Sequence, residues 1–277
     1  MAEPEPIIRL EGVHKSFGAT PVLRGVDLAI LAGQTTVIIG PSGCGKTVLI
    51  KHIVGLIRPD RGKVFFRDFE VSAMSESKLV AVRRRMGFLF QGSALFDSMT
   101  VEQNLLFPLE EHGYGPRARR HERCREVLSM VGLDGMQNRF PEGLSGGQKK
   151  RVALARAIAL DPEVILYDEP TTGLDPIRAD LINELILRLQ RHMGCTAVVV
   201  THDLTSARRV GQRIMMLNEG RFIADTSPAD IEKVDNEVFA RFVQGKASQE
   251  ELRELESGRF SRTEPAAAPS RGQESGS

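Results

Sequence analysis

Residues 40–47 read Gly40, Pro41, Ser42, Gly43, Cys44, Gly45, Lys46 and Thr47, which fits the pattern G-x4-G-K-[ST]. Glycines at these positions let the backbone curl, so that successive N–H groups and the start of the following helix face phosphate oxygens. Lys46 then neutralises β- and γ-phosphate oxygens of ATP, and Thr47 holds Mg²⁺. Further along, Val164-Ile-Leu-Tyr-Asp-Glu169 is an apolar run that ends in two acids. Adjacent strand residues point to opposite faces, so the two carboxylates can do different jobs. Asp168 is the candidate Mg²⁺ partner, and Glu169 is the candidate to polarise an attacking water. A third element, Leu144, Ser145, Gly146, Gly147 and Gln148, opens a helix through Arg151, Val152, Ala155 and Ile158. Its Gly-rich N-terminus also suits an anion. One ATP has no obvious need of two such cradles from one chain. The second cradle is therefore assigned to the ATP of a second copy, making two ATPs the glue of a symmetric dimer.

These residues need elements to hold them. Short β-like runs at Ile7–Leu10, Val26–Ile30 and Thr35–Ile39, separated by Gly-containing turns, predict a small antiparallel region feeding a buried strand. From Lys46 the apolar period becomes helical and ends near Gly55. Strands follow at Lys63–Phe66 and Met86–Phe90. Between Gly92 and Leu160 the β signal gives way to helices at Val101–Phe107, Arg117–Val131 and Gln148–Leu160. Then come strand Val164–Tyr167, helix Ile177–His192, strand Thr196–Val200, helix Leu204–Val210 and strand Ile214–Leu217. In the helix from Ile177, the residues Ile177, Leu181, Ile182, Leu185, Ile186 and Leu189 share one face, with Asp175 as cap and Pro176 at the first position. Strands alternating with helices predict an α/β fold with a mostly parallel sheet.

Composition narrows the function classes. The chain has 277 residues, enough for one large or two smaller units, and 37 Lys and Arg against 36 Asp and Glu. A net charge of +1 gives no global field for nucleic acid, so no nucleic-acid partner is expected. Apolar runs such as Val164–Tyr167 and Ala197–Val200 are about four residues long, far below the roughly 20 of a membrane span. The start, Met1 to Pro6, has no basic region or apolar core of a secretion signal, which predicts a cytosolic chain. Cys44, Cys124 and Cys195 form no CxxC pair and read as reduced thiols.

Taken together, the phosphate loop, the acidic strand end and Leu144–Gln148 resemble the nucleotide-binding domain of an ABC transporter over roughly Ile7 to Gly245. The resemblance implies an ABC-type P-loop ATPase: a mostly parallel RecA-like core, an N-terminal antiparallel β region and an inserted α-helical subdomain. It divides the chain into residues 1–91, 92–160 and 161–245, with a C-terminal extension at 246–277. It also implies ATP hydrolysis. Phe17 corresponds to the aromatic that stacks on adenine. Gln91 corresponds to the Q-loop glutamine, which senses Mg²⁺ or water and links the lobes. Thr172-Gly-Leu-Asp175 corresponds to the D-loop that touches the other protomer, and His202 to the switch histidine at the γ-phosphate. The metal set is then Thr47, Gln91 and Asp168. Three positions depart from the family pattern: Val48 replaces a second Thr or Ser, the D-loop begins Thr172-Gly173, and Cys44 lies within the phosphate loop. A helix N-terminus can lower a thiol pKa there, although a small tolerated side chain is the simpler reading.

The run Arg83 to Met99, continuing to His112, resembles the ATPases of MCE-associated, Mla-type phospholipid transporters. Amino-acid importer ATPases share much of the same scaffold. The first resemblance implies a membrane permease partner, an MCE-type lipid-binding subunit and a place on the cytoplasmic side of the bacterial inner membrane. The second changes the cargo to an amino acid or other solute. A soluble ABC ATPase acting on DNA or ribosomes is disfavoured by the lack of a long coiled coil or second cassette, and a GTPase by the lack of Asn-Lys-x-Asp. Leu95, Phe96 and Met99 could line a groove for a partner helix or pack in the core. Arg117–Arg125 reads as a solvated helix face or a contact for anionic headgroups. Gln249–Ser257 could form a short polar helix. From Gly258 to Ser277, nine of twenty residues are Gly, Pro or Ser, which predicts disorder in the free chain.

Overall fold

A computed structural model describes residues 5–247, 249, 252 and 253. In chain order the elements are β1 (Pro6–Phe17), β2 (Thr20–Leu31), β3 (Thr35–Ile39), α1 (Lys46–Ile53), β4 (Arg61–Phe66), β5 (Phe69–Glu70), α2 (Glu76–Arg83) and β6 (Met86–Leu89). A helical stretch follows, comprising α3 (Val101–Glu111), α4 (Arg117–Met130) and α5 (Gly146–Ile158). The chain then runs through β7 (Val164–Asp168), α6 (Pro176–Met193), β8 (Thr196–Thr201), α7 (Leu204–Val210), β9 (Arg213–Asn218), β10 (Arg221–Thr226) and α8 (Glu237–Gln244).

Two sheets form. The first is antiparallel in the order β2-β1-β4-β5, and the second has the order β10-β9-β3-β8-β7-β6. In the second sheet every pairing is parallel except β10 with β9. Its central strands are apolar on both faces, as a parallel sheet covered on both sides requires. The two-residue period then sorts their side chains. Val37, Ile39, Ile165, Tyr167, Ala197, Val199, Ile214 and Met216 join a core shared with α3–α8. Ile38, Val164, Leu166, Val198, Val200, Met215 and Leu217 join a second core shared with α1, α2 and the antiparallel sheet. The register aligns Ile39 with Thr201 and Asp168 with Val200. The carboxyl ends of β3, β7 and β8 therefore open onto one edge, where ligands bind in open α/β sheets.

Several local expectations change. The first two β-runs belong to 12-residue strands bent by register shifts, such as that between Leu10 and Val13. α3 starts at a capping box between Thr100 and Gln103 and continues through Pro108 to Glu111. In α6, Ile182, Leu185, Ile186 and Leu189 are buried, but Ile177 is 81% and Leu181 49% exposed. The first turns of that helix extend beyond the core, so the apolar stripe is divided between core and surface. In Arg117–Arg125, Arg123 is buried and donates to the carbonyls of Ile158 and Ala159, satisfying the end of α5. Arg119 pairs with Glu122 and Glu126, whereas Arg117 and Arg125 are exposed. The elements that sequence patterning missed are α2, α8, β10 and β5, which pairs with β4. The expectations for Gln249–Ser257 and the tail fall largely outside the described residues. Among the described residues no helix is long and apolar enough to cross a membrane.

Candidate active site

β3 leads straight into the loop Gly40–Gly45, and α1 begins at Lys46. Gly40 has φ 151°, and a Cβ there would lie 2.1 Å from the Leu217 carbonyl oxygen of β9. Gly45, at φ 106°, would press a Cβ against Val22 and Leu23 of β2. Both positions require glycine because the loop is wedged between two sheets. The Lys46 ammonium is buried and donates to the carbonyls of Gly40 (2.8 Å) and Pro41 (3.0 Å), with Glu169 Oε1 at 3.7 Å.

From β7, Asp168 and Glu169 diverge. Thr47 Oγ1 donates to Asp168 Oδ1 at 2.9 Å. Burial holds the Asp168 carboxyl above the usual aspartate value, and the Thr47 hydrogen bond partly opposes this. Two hard oxygen donors of opposite strand-end and helix-start origin thus meet beside the phosphate loop. This pair fits Mg²⁺, which takes few protein ligands and completes its shell with water and phosphate oxygens. Glu169 lies in the left-handed region at φ 49°, rare for a residue with a side chain. Its Oε2 accepts from Thr172 Oγ1 (3.1 Å) and lies 2.9 Å from His202 Nδ1, with Thr201 Oγ1 at 3.4 Å.

Phe17, Ser42, Gly43, Gly45, Lys46, Thr47, Val48, Gln91, Glu169 and His202 line one open cleft of about 400 Å³. The Phe17 ring stands at the end of β1, 50% exposed, where a flat base could stack on it. The cleft therefore offers an aromatic plate, an anion cradle, and a carboxylate with an imidazole beside it.

A profile of the ABC transporter family matches residues 23–172, more than half of the chain. The chain belongs to the ABC transporter family. The chain is 37% identical over 239 residues to a Mycobacterium tuberculosis protein named "Probable ribonucleotide transport ATP-binding protein mkl", covering 86% of this chain and 67% of the relative. It is 42% identical over 222 residues to "Methionine import ATP-binding protein MetN 2" of Rhodococcus jostii, covering 79% of this chain and 65% of the relative. Among solved structures, a dimeric ATP-binding cassette in a post-hydrolysis state bound to ADP and Pi is 35% identical, with a TM-score of 0.74 over 80% of this chain and 98% of that one. This ABC subunit is an ATP-hydrolysing transport ATPase and binds nucleotide.

In this ABC ATPase Leu144–Gln148, the second anion cradle expected from the sequence, are not among the residues that line the cleft. Ser145 caps α5, and its hydroxyl and backbone exchange hydrogen bonds with Gln148 in a capping box. Gly146 lies beside Leu174, and Gly147 beside Arg178, so Leu144–Gln148 packs on the segment that includes Asp175. Asp175 itself caps α6 by accepting from the Arg178 N–H at 3.0 Å. Pro41 and Gly40 contribute carbonyls to Lys46. Cys44 is buried under the loop, and burial raises its thiol rather than lowering it.

Two functional candidates escaped sequence reasoning. Lys150, on α5, is buried and donates to the carbonyls of Gln91 (2.9 Å) and Glu169 (3.1 Å). Arg156 donates to the carbonyls of Ser93 (3.2 Å) and Ala94 (2.9 Å). In sequence both belong to ordinary-looking basic helix positions, and only the packing of α5 on β6 gives them targets.

Proposed function

We propose that two copies of this chain close on two ATP·Mg²⁺ and thereby drive a membrane permease, with hydrolysis reopening them. The observation that carries the reading is the convergence of Lys46, His202, Thr172 and Thr201 on the Glu169 carboxylate. A carboxylate so held is aimed at the place where a water would attack the γ-phosphate, and it serves there as general base. His202 orients that carboxylate and faces the cleft. Thr47 and Asp168, with Gln91 nearby in the cleft lining, would hold Mg²⁺, which would supply positive charge to neutralise the phosphates. Gly40–Gly45 bind the phosphates, Lys46 neutralises them, and Phe17 stacks on adenine.

Dimerisation is supported by the separation of Leu144–Gln148 from the chain's own cleft. The exposed Ile177 and Leu181, next to Asp175, give the same face an apolar patch. A permease contact is supported by Phe96, five residues after Gln91, and Phe107 of α3, which are 41% and 42% exposed with ring centroids 5.1 Å apart. Leu95, by contrast, packs against the core. The resemblance of Arg83–Met99 to Mla-type ATPases supports intermembrane phospholipid as cargo, an MCE-type subunit as a further partner and the cytoplasmic face of the inner membrane as the location. A second reading, import of an amino acid or other solute, is supported by the identity to the methionine import protein. Purification of the tagged chain from detergent-solubilised membranes, with identification of the permease and any bound lipid, tests both. Co-purifying phospholipid and an MCE-type subunit support lipid transport, and a solute-binding importer complex refutes it.

A further inference from the structure

The helix that begins with the signature reaches back into the hydrolysis site through one buried side chain. Lys150 lies about one turn into α5, and its ammonium donates to the Gln91 carbonyl at 2.9 Å and the Glu169 carbonyl at 3.1 Å. It is only 5% exposed. An ammonium taken from water at this depth is unfavourable unless its hydrogen bonds are well used, and an apolar residue would fill the space at lower cost. Burial pushes the Lys150 ammonium below the usual lysine value, and the Glu169 and Asp168 carboxylates oppose this in part.

The carbonyls it holds are special. Glu169 stands at φ 49°, a conformation that relaxes unless its flanking peptides are fixed. Its N–H donates to the Val200 carbonyl at 2.9 Å, and its carbonyl takes Lys150, with a longer bond from Thr172 N at 3.3 Å. Gln91 opens a segment in which Ser93 (φ 64°) and Ala94 (φ 49°) are left-handed in succession. Arg156 of the same helix grips the carbonyls of those two residues. Thus α5 holds the Gln91 segment at two points and the Glu169 backbone at one.

We infer that Lys150 is a positioning residue for hydrolysis: it ties the Gln91 loop, the Glu169 backbone and the signature helix into one mechanical unit. The inference rests on the roles proposed above for Gln91 and Glu169. A displacement of the loop after Gln91 then reaches both the carboxylate of this chain's site and the Gly146–Gly147 end of α5 that faces the second copy. Without the ammonium, the Glu169 carbonyl keeps only the 3.3 Å bond from Thr172 N–H, so the backbone from which the carboxylate projects is less fixed, whereas the phosphate loop keeps all its contacts.

The test compares full-length wild type with Lys150→Met, which removes the donors at similar length, and with Lys150→Gln and Lys150→Arg, which keep N–H donors. Glu169→Gln runs alongside. ATPase kcat and KM, the ATP dissociation constant by calorimetry and the melting temperature are measured for each. Lys150→Met is expected to lose fivefold or more in kcat, with KM and the dissociation constant within twofold, and at least one donor-keeping variant should regain wild-type kcat within threefold. A smaller loss in Lys150→Met, a parallel collapse of ATP binding and melting temperature, or no recovery in either donor-keeping variant overturns the inference. If Lys150→Met behaves as wild type while Glu169→Gln is inactive, only the Lys150 role fails. If Glu169→Gln still turns over, the general-base reading fails and takes this role with it.

Discussion

Replacing Glu169 by Gln isolates the proton-accepting role proposed for that side chain. Gln has the same shape, so its amide oxygen can take the place of Oε2 and accept from Thr172 Oγ1 (3.1 Å) beside His202 (2.9 Å). The amide nitrogen then falls where Oε1 was, 3.7 Å from the Lys46 ammonium. Lys46 loses a counter-charge but keeps the Gly40 and Pro41 carbonyls at 2.8 and 3.0 Å, so the phosphate cradle stays formed. Removing a negative charge next to the cation that meets the phosphates leaves ATP binding equal or tighter. What disappears is the base, a contribution of roughly 10²–10⁴ in rate. That range corresponds to about 3–5 kcal/mol in the barrier. The assay is steady-state and single-turnover hydrolysis of Mg²⁺·ATP, with gel filtration to detect a dimer that persists in ATP. A variant that keeps more than about a hundredth of wild-type kcat, or that binds ATP more weakly, refutes the reasoning, because about 3 kcal/mol is the least a general base contributes here.

Gly40→Ala should lower the melting temperature and weaken ATP binding by tenfold or more, read by thermal unfolding and calorimetry, because its Cβ would meet the Leu217 carbonyl at 2.1 Å and the φ of 151° is strained for alanine. Asp168→Asn should abolish the Mg²⁺ dependence of nucleotide binding yet raise the melting temperature of the nucleotide-free chain. Because burial raises the folded pKa of Asp168, this group favours the folded state when protonated, and that contribution is lost as pH rises through the raised value. The variant's advantage in melting temperature should therefore be present at pH 7 and shrink as pH falls toward the unfolded value of about 4. Phe107→Ser should leave ATPase activity of the isolated chain unchanged and reduce co-purification of the permease, since its ring is 42% exposed and pairs edge-on with Phe96. Full permease recovery with Phe107→Ser would remove this aromatic pair from the contact.

Gly40–Thr47, Val164–Glu169 and Leu144–Gln148 were legible because their chemistry is local. A phosphate cradle is made by consecutive backbone N–H groups, and a strand-end acid pair by one alternation of side chains, so the residue order carries the information. The parallel sheet was legible for a similar reason, since runs such as Ile165–Tyr167 and Ala197–Val200 are apolar on both faces. Residues that act through distant partners were not legible. Lys149 and Lys150 are adjacent and chemically identical, and only the packing of α5 against β6 decides that one of them is buried between Gln91 and Glu169. Arg123 reads as one more surface charge in a basic helix until the end of α5 claims it. Ile177 and Leu181 belong to the same apolar stripe as Leu185, yet the core stops short of them. Local order therefore determined which groups are the candidates to bind phosphate and activate water. The tertiary structure decided how they are aimed, because burial, backbone strain at Glu169 and the pairing of carbonyls with distant cations depend on which elements touch.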